Sequence, residues 1–138
     1  MVERKNGAVI NISSLSGVMP SPMLSVYSGT KAYVDFFTQG LTKEYAKTGV
    51  TIQCIMPGPV VSNMSKLKRA SMSSPFPEVF VKSNLSRLGI DDRTAGFWFH
   101  DIMMFVTDSL PRNVVSNFLY KFGQTLKIKA LKKKEKQK

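Results

Sequence analysis

The chain has 138 residues, 43% of them apolar, which suits one domain with a packed core. Its formal charge of +11 would point to a nucleic-acid partner if it were spread over a folded face. Seven lysines and one glutamate instead crowd residues 127–138, so the division expected is a domain over 1–126 and a basic tail over 127–138, with no nucleic acid as partner.

Gly7-Ala-Val-Ile-Asn-Ile-Ser-Ser is a nearly continuous apolar run closing in small polar residues. That is the pattern of a strand buried on both faces of a parallel sheet. Gly17, Pro20 and Pro22 mark a loop. From residue 24 to about 47 there is no proline, and Val26, Tyr33, Val34, Phe37, Leu41 and Tyr45 recur near helical spacing. The spacing predicts a long helix stopped by Gly49. Residues 50–56 form a second apolar run closed by Pro57-Gly58-Pro59, and its lone Cys54 reads as a buried strand thiol in reducing surroundings. Strand, helix and strand make a βαβ unit with parallel strands. Ligands of such sheets bind beyond the carboxyl ends of the strands, so Ser14 and Pro57-Gly58 should share one crevice.

Residues 60–70 read as a loop turning into a basic helix with Lys66, Lys68 and Arg69. A helix over 77–88 follows, with Val79, Phe80, Leu85 and Leu88 as its apolar positions. Asp92 is a candidate N-cap for a helix running through Asp101 to Phe105. His100 reads as a structural residue near a helix surface. Trp98, Phe97, Phe99, Met103 and Met104 read as a core cluster, or as the lining of a long apolar substrate tunnel. Residues 113–131 are helix-compatible and turn basic. A single histidine and a single cysteine argue against a metal centre. No run reaches the roughly 18–20 apolar residues that span a bilayer.

Tyr27 and Lys31 stand four apart on the predicted helix, and so share a face with Cβ atoms about 5–6 Å apart. An ammonium beside a phenol favours the phenolate and eases proton transfer at neutral pH. Ser14, at the end of the preceding strand, is placed to donate to the same substrate oxygen and to stabilise charge developing there. A Tyr/Lys pair at this spacing is common on amphipathic helices. Its weight here comes from Asn11-Ile12-Ser13-Ser14 and Gly17 before it and Pro57-Gly58 after the next strand.

This combination resembles the short-chain dehydrogenase/reductase family, most specifically over residues 7–62. The resemblance implies an α/β fold, here the C-terminal half of a Rossmann-type doubly wound parallel sheet followed by helices. It implies that Ser14 orients a carbonyl, Tyr27 donates the proton, and Lys31 binds the nicotinamide ribose while tuning Tyr27. Tyr27, Lys31, Pro57, Gly58, Val60 and Ser62 would be the cofactor-binding residues, with Ser62 where the family more often has threonine. Asn11 matches a structural asparagine of the strand. Phe80-Val-Lys-Ser, Arg93-Thr-Ala-Gly-Phe and the lysine-rich end are closest to the 17-beta-hydroxysteroid dehydrogenase type 12 and very-long-chain 3-oxoacyl-CoA reductase group. Gly29 departs from that group's usual alanine or serine.

The group implies an oxidoreductase of steroid or lipid metabolism that reduces a steroid ketone or a long-chain 3-oxoacyl-CoA. NADP(H) is the expected cofactor, with NAD(H) not excluded. A homodimer and the cytosolic face of the endoplasmic-reticulum membrane are further expectations. Lys134 and Lys136 near the end resemble a dilysine retrieval signal, although a solvated basic tail explains them equally well. The 138 residues contain no Gly-x-x-x-Gly-x-Gly run to cradle a pyrophosphate. The expectation is therefore that Met1 is an internal methionine of a longer protein and that this C-terminal fragment alone is inactive and marginally stable. The alternative is a non-catalytic truncated paralogue acting by partner or membrane binding.

Overall fold

A computed structural model describes the backbone of residues 1–135 and the side chains of 1–125, 127 and 128. The elements are β1 (Gly7–Ile12), a 3-10 turn (Leu15–Gly17), α1 (Ser25–Glu44), β2 (Val50–Ile55), α2 (Pro77–Leu85), β3 (Arg93–Thr94), α3 (Trp98–Ser109) and α4 (Arg112–Glu135). The strands form one sheet in the order β1-β2-β3, and both pairings are parallel. Gly7 lies opposite Val50 and Ile12 opposite Ile55, and Cys54 and Ile55 face Arg93 and Thr94. This is the parallel α/β architecture expected, with helices following the sheet. The dilysine motif ends at residues 136–138, outside the described residues.

β2 is the centre of the core. Cys54, Gln53 and the adjoining Met56 are fully buried, and Ile52 and Ile55 nearly so. Side chains alternate across a strand. Cys54 meets Thr38 and Asp35 of α1 on one face. Gln53 projects to the other, where its amide donates to the carbonyls of Arg87 (3.1 Å) and Asp91 (2.7 Å). Burial, then the carboxylate of Asp35, pushes the Cys54 thiol up to about 11, so it is protonated at neutral pH.

α1 runs where its spacing predicts, but its apolar positions are not its buried face. Val26, Tyr33 and Phe37 are exposed, while Ser28, Asp35 and Thr38 are buried. The inward face is held by directed polar bonds. Asn11 Nδ2 donates to Thr38 Oγ1 at 3.0 Å, and that hydroxyl donates to the Val34 carbonyl at 2.6 Å. The Arg93 Nε donates to both Asp35 carboxylate oxygens at 3.1 Å, joining α1 to β3.

Four other expectations are corrected. Residues 60–70 form turns, not a basic helix. Ser65 Oγ accepts from the Ser62 N–H and donates to the Val60 carbonyl, and Lys66 takes a positive φ of 56°, so local side-chain bonds displace helical ones. Asp92 caps no helix. Its carbonyl accepts from the Cys54 N–H at 2.8 Å, drawing the chain into β3, and α3 starts later, behind Phe97. His100 is fully buried and not at a surface. Of the cluster read as core, Trp98 is half-exposed and Phe97, Phe99, Met103 and Met104 are only partly buried, and none of the five lines the cleft described below.

Candidate active site

The site is built where β1 and β2 end. The Ser13 N–H donates to the Ile55 carbonyl at 2.8 Å, and the Leu15 N–H donates to the Pro57 carbonyl at 3.0 Å. These bonds hold the two outgoing loops side by side beyond the carboxyl ends of the strands. Ser13 is buried, and its hydroxyl donates to the Lys31 carbonyl at 2.6 Å, fastening β1 to α1 at the lysine itself. Gly17 lies against the same turn of helix. A Cβ there would fall 2.8 Å from the Lys31 carbonyl carbon and the Ala32 nitrogen, a separation real Cβ atoms do not adopt. The buried Ser28 hydroxyl donates to the Ser16 carbonyl at 2.8 Å, one residue beyond Tyr27. Ser13, Gly17 and Ser28 thus set where Tyr27 and Lys31 stand.

A cleft of about 310 Å³ opens at this place. All seven sequence-predicted site residues, Ser14, Tyr27, Lys31, Pro57, Gly58, Val60 and Ser62, line it. The Lys31 ammonium lies 5.7 Å from the centroid of the Tyr27 ring and donates to the Ile12 carbonyl at 3.1 Å. An ammonium carries three protons, so two donors remain. The Tyr27 hydroxyl has no protein partner among the described residues, and the side chain is 37% exposed. Ser14 caps the 3-10 turn by accepting from the Ser16 N–H at 3.2 Å. Its oxygen is thereby engaged as an acceptor, which leaves its O–H proton to be donated. The cleft thus gathers one phenol, one ammonium and one oriented hydroxyl, chemistry that suits delivering a proton to an oxygen and stabilising its charge.

Phe80 and Met64 also line the cleft, and sequence reasoning did not assign them to it. Met64 lies in no motif, and the segment that opens with Phe80 carried a resemblance but no role; only tertiary packing brings α2 and the residue 62–67 turn to the ends of β1 and β2. Among the described residues no group of three or more His, Cys, Asp or Glu side chains is placed to hold a metal ion. Likewise, among the described residues no helix is long and apolar enough to cross a membrane.

The remaining lines of comparison come from proteins already known. A family model described as short chain dehydrogenase matches residues 1–73. The very-long-chain 3-oxoacyl-CoA reductase of Bos taurus is 42% identical over 133 residues, covering 96% of this chain and 43% of that protein. The human protein of the same name is 38% identical over 136 residues, 99% of this chain and 44% of its own. The chain therefore spans less than half the length of these curated relatives. Among solved structures, one from work on 7beta-hydroxysteroid dehydrogenase stereoselectivity superposes with a TM-score of 0.73 at 21% identity, covering 85% of this chain and 49% of that one. A short chain dehydrogenase from Burkholderia cenocepacia in complex with NADP gives 0.69 at 23% identity, covering 86% and 50%. At such identities these two speak for the fold alone.

Proposed function

The chain belongs to the short-chain dehydrogenase family, and from that premise we propose that it supplies the catalytic half of an NADPH-dependent ketone reductase acting on a long-chain 3-oxoacyl-CoA. A steroid ketone is the second substrate of the same chemistry. The observation that carries the reading is the convergence of Ser14, Tyr27 and Lys31 in one cleft, with Pro57 and Gly58 in the same lining.

A bound nicotinamide supplies the hydride. Tyr27 gives its phenolic proton to the oxygen of the carbonyl being reduced, which accounts for a hydroxyl without a protein partner among the described residues. Ser14 donates to the same oxygen and holds the carbonyl in register. Lys31 stands beside the phenol, its Nζ 5.7 Å from the ring centroid, and its two remaining donors fit the hydroxyls of a ribose. Pro57, Gly58, Val60 and Ser62 form the cofactor-facing part of the lining. These residues fit the nicotinamide and ribose end of the cofactor. The 138 residues offer no glycine-rich cradle for its pyrophosphate, so the chain assayed alone is expected to bind NADPH weakly and to be inactive.

The setting proposed is the cytosolic face of the endoplasmic-reticulum membrane, as a homodimer. The seven lysines of residues 127–138 support the membrane part, since each basic residue near an anionic surface contributes roughly 1 kcal/mol.

The test joins a dinucleotide-binding half of this family ahead of residue 1 and follows NADPH oxidation with a long-chain 3-oxoacyl-CoA. Tyr27→Phe should lower the rate by about 100-fold or more, with the melting transition unchanged, because a positioned general acid contributes about that much. A longer chain that binds NADPH yet reduces neither substrate class overturns the reading and favours a non-catalytic binding role.

A further inference from the structure

The wall of the cleft contains a turn with very little hydrogen-bonding freedom. Pro57 and Pro59 have no N–H. The Pro57 carbonyl is taken by the Leu15 N–H at 3.0 Å, and the Gly58 N–H points away from the cleft, to Nδ1 of His100 at 3.3 Å. On its other side the His100 ring meets the Ser73 carbonyl at 3.0 Å from Nε2. A carbonyl only accepts, so Nε2 carries the proton, and an amide N–H only donates, so Nδ1 is bare. Both partners are satisfied by one state alone, the neutral imidazole protonated at Nε2.

The fit is steric as well. A Cβ on Gly58 would lie 2.6 Å from Cδ2 of the His100 ring, so the glycine backbone rests directly on the imidazole. Phe80 and Phe97 flank the ring, with centroids 5.9 Å and 5.3 Å away. Gly58 and Phe80 both line the cleft, and His100 stands behind them.

We propose that His100 is a positioning residue, a neutral strut that fixes the Pro57–Gly58–Pro59 wall of the cleft against α3 and the residue 71–74 turn. Burial lowers its proton affinity, which favours the neutral state the two bonds demand. The Ser73 and Pro59 carbonyls, and then the carboxylate of Asp101 on its own helix, the charged group facing it, pull the other way. Residues 57–60 and 71–74 carry no titratable side chain, and α2 presents the ring of Phe80, with Glu78 and Lys82 exposed. Protonation would put a hydrogen on Nδ1 against the Gly58 N–H and release that end of the strut. The importance of the wall for catalysis rests on the reductase reading; the strut itself does not.

This chain's single histidine makes the test clean. Nitrogen-15 spectra of the histidine-labelled chain, without cofactor or substrate, should show the Nε2–H form. Its titration midpoint should lie below the ordinary 6.5, with the Gly58 amide shifting at the same midpoint. His100→Phe should speed hydrogen exchange at Gly58 by about tenfold while amides of β2 keep their protection. His100→Asn, which restores an acceptor near the Nδ1 position, should recover most of that protection. A ring protonated at Nδ1, or one that titrates at 6.5 without moving Gly58, overturns the proposal. Because no readout involves turnover, a failed strut and a failed reductase reading are told apart.

Discussion

The two flanks of β2 are covered differently. Toward α2 and α3 the chain buries Phe80 and His100 beside the polar side chains of Gln53, Asn84 and Thr94. On the outer side of α1 it leaves Val26 83% and Phe36 73% exposed, and Ile12 at the end of β1 is 59% exposed. Among the described residues β1 pairs with β2 alone. One flank therefore combines apolar packing around a buried imidazole with the Gln53 amide bonds and the Arg87–Asp101 pair. The other is held by polar bonds: Asn11 to Thr38, Arg93 to Asp35, and Ser13 and Ser28 to backbone carbonyls. Buried polar groups cost stability unless paired, and these are paired. The comparison teaches that α1 is aimed by directed bonds rather than by a greasy stripe. That suits a helix whose task is to hold one phenol and one ammonium in place.

The core around β2 breaks most easily. Met56→Ala removes a fully buried side chain at the end of β2 and should cost about 3 kcal/mol, read as a lower urea midpoint with unchanged slope. A loss under about 1 kcal/mol would mean that the core at the end of β2 is loosely packed. The helix on the open flank can instead be strengthened. Gly29 lies inside α1, and a Cβ there would meet nothing within 4 Å. Gly29→Ala should raise stability by about 1 kcal/mol, the difference in helix propensity. No gain would show that the outer face of α1 is crowded in solution by something outside the chain.

The same contrast separates what could be read in advance from what could not. The βαβ unit was legible because two apolar runs with small polar ends bracket a proline-free stretch, and those signals are local. The seven candidate residues were legible because short spacings tie each to a strand end or to one helix face. The inward face of α1 was not, since apolar periodicity favours Val26, Tyr33 and Phe37, and nothing local says that Asp35 will find Arg93 fifty-eight residues later. The missing basic helix had a faint signal in Ser62 and Ser65, whose hydroxyls compete for backbone bonds. His100 had none: its partners Gly58 and Ser73 lie 42 and 27 residues away.

The smallest effect is the sharpest probe of the open flank. Phe36 is 73% exposed on α1, so in a chain standing alone Phe36→Ser removes almost no buried surface. Surface changes of this kind stay within about 0.5 kcal/mol. The urea midpoint should therefore hardly move, and it should be the same at low and high protein concentration. A second copy seated on this face would make Phe36 a buried side chain. The same substitution would then cost more than about 1 kcal/mol, and stability would rise with concentration before the change and not after it. A flat result leaves the polar bonds of the inner face as what holds α1. A concentration-dependent loss moves part of that task to a partner and makes the two flanks of β2 equally covered in the assembled protein.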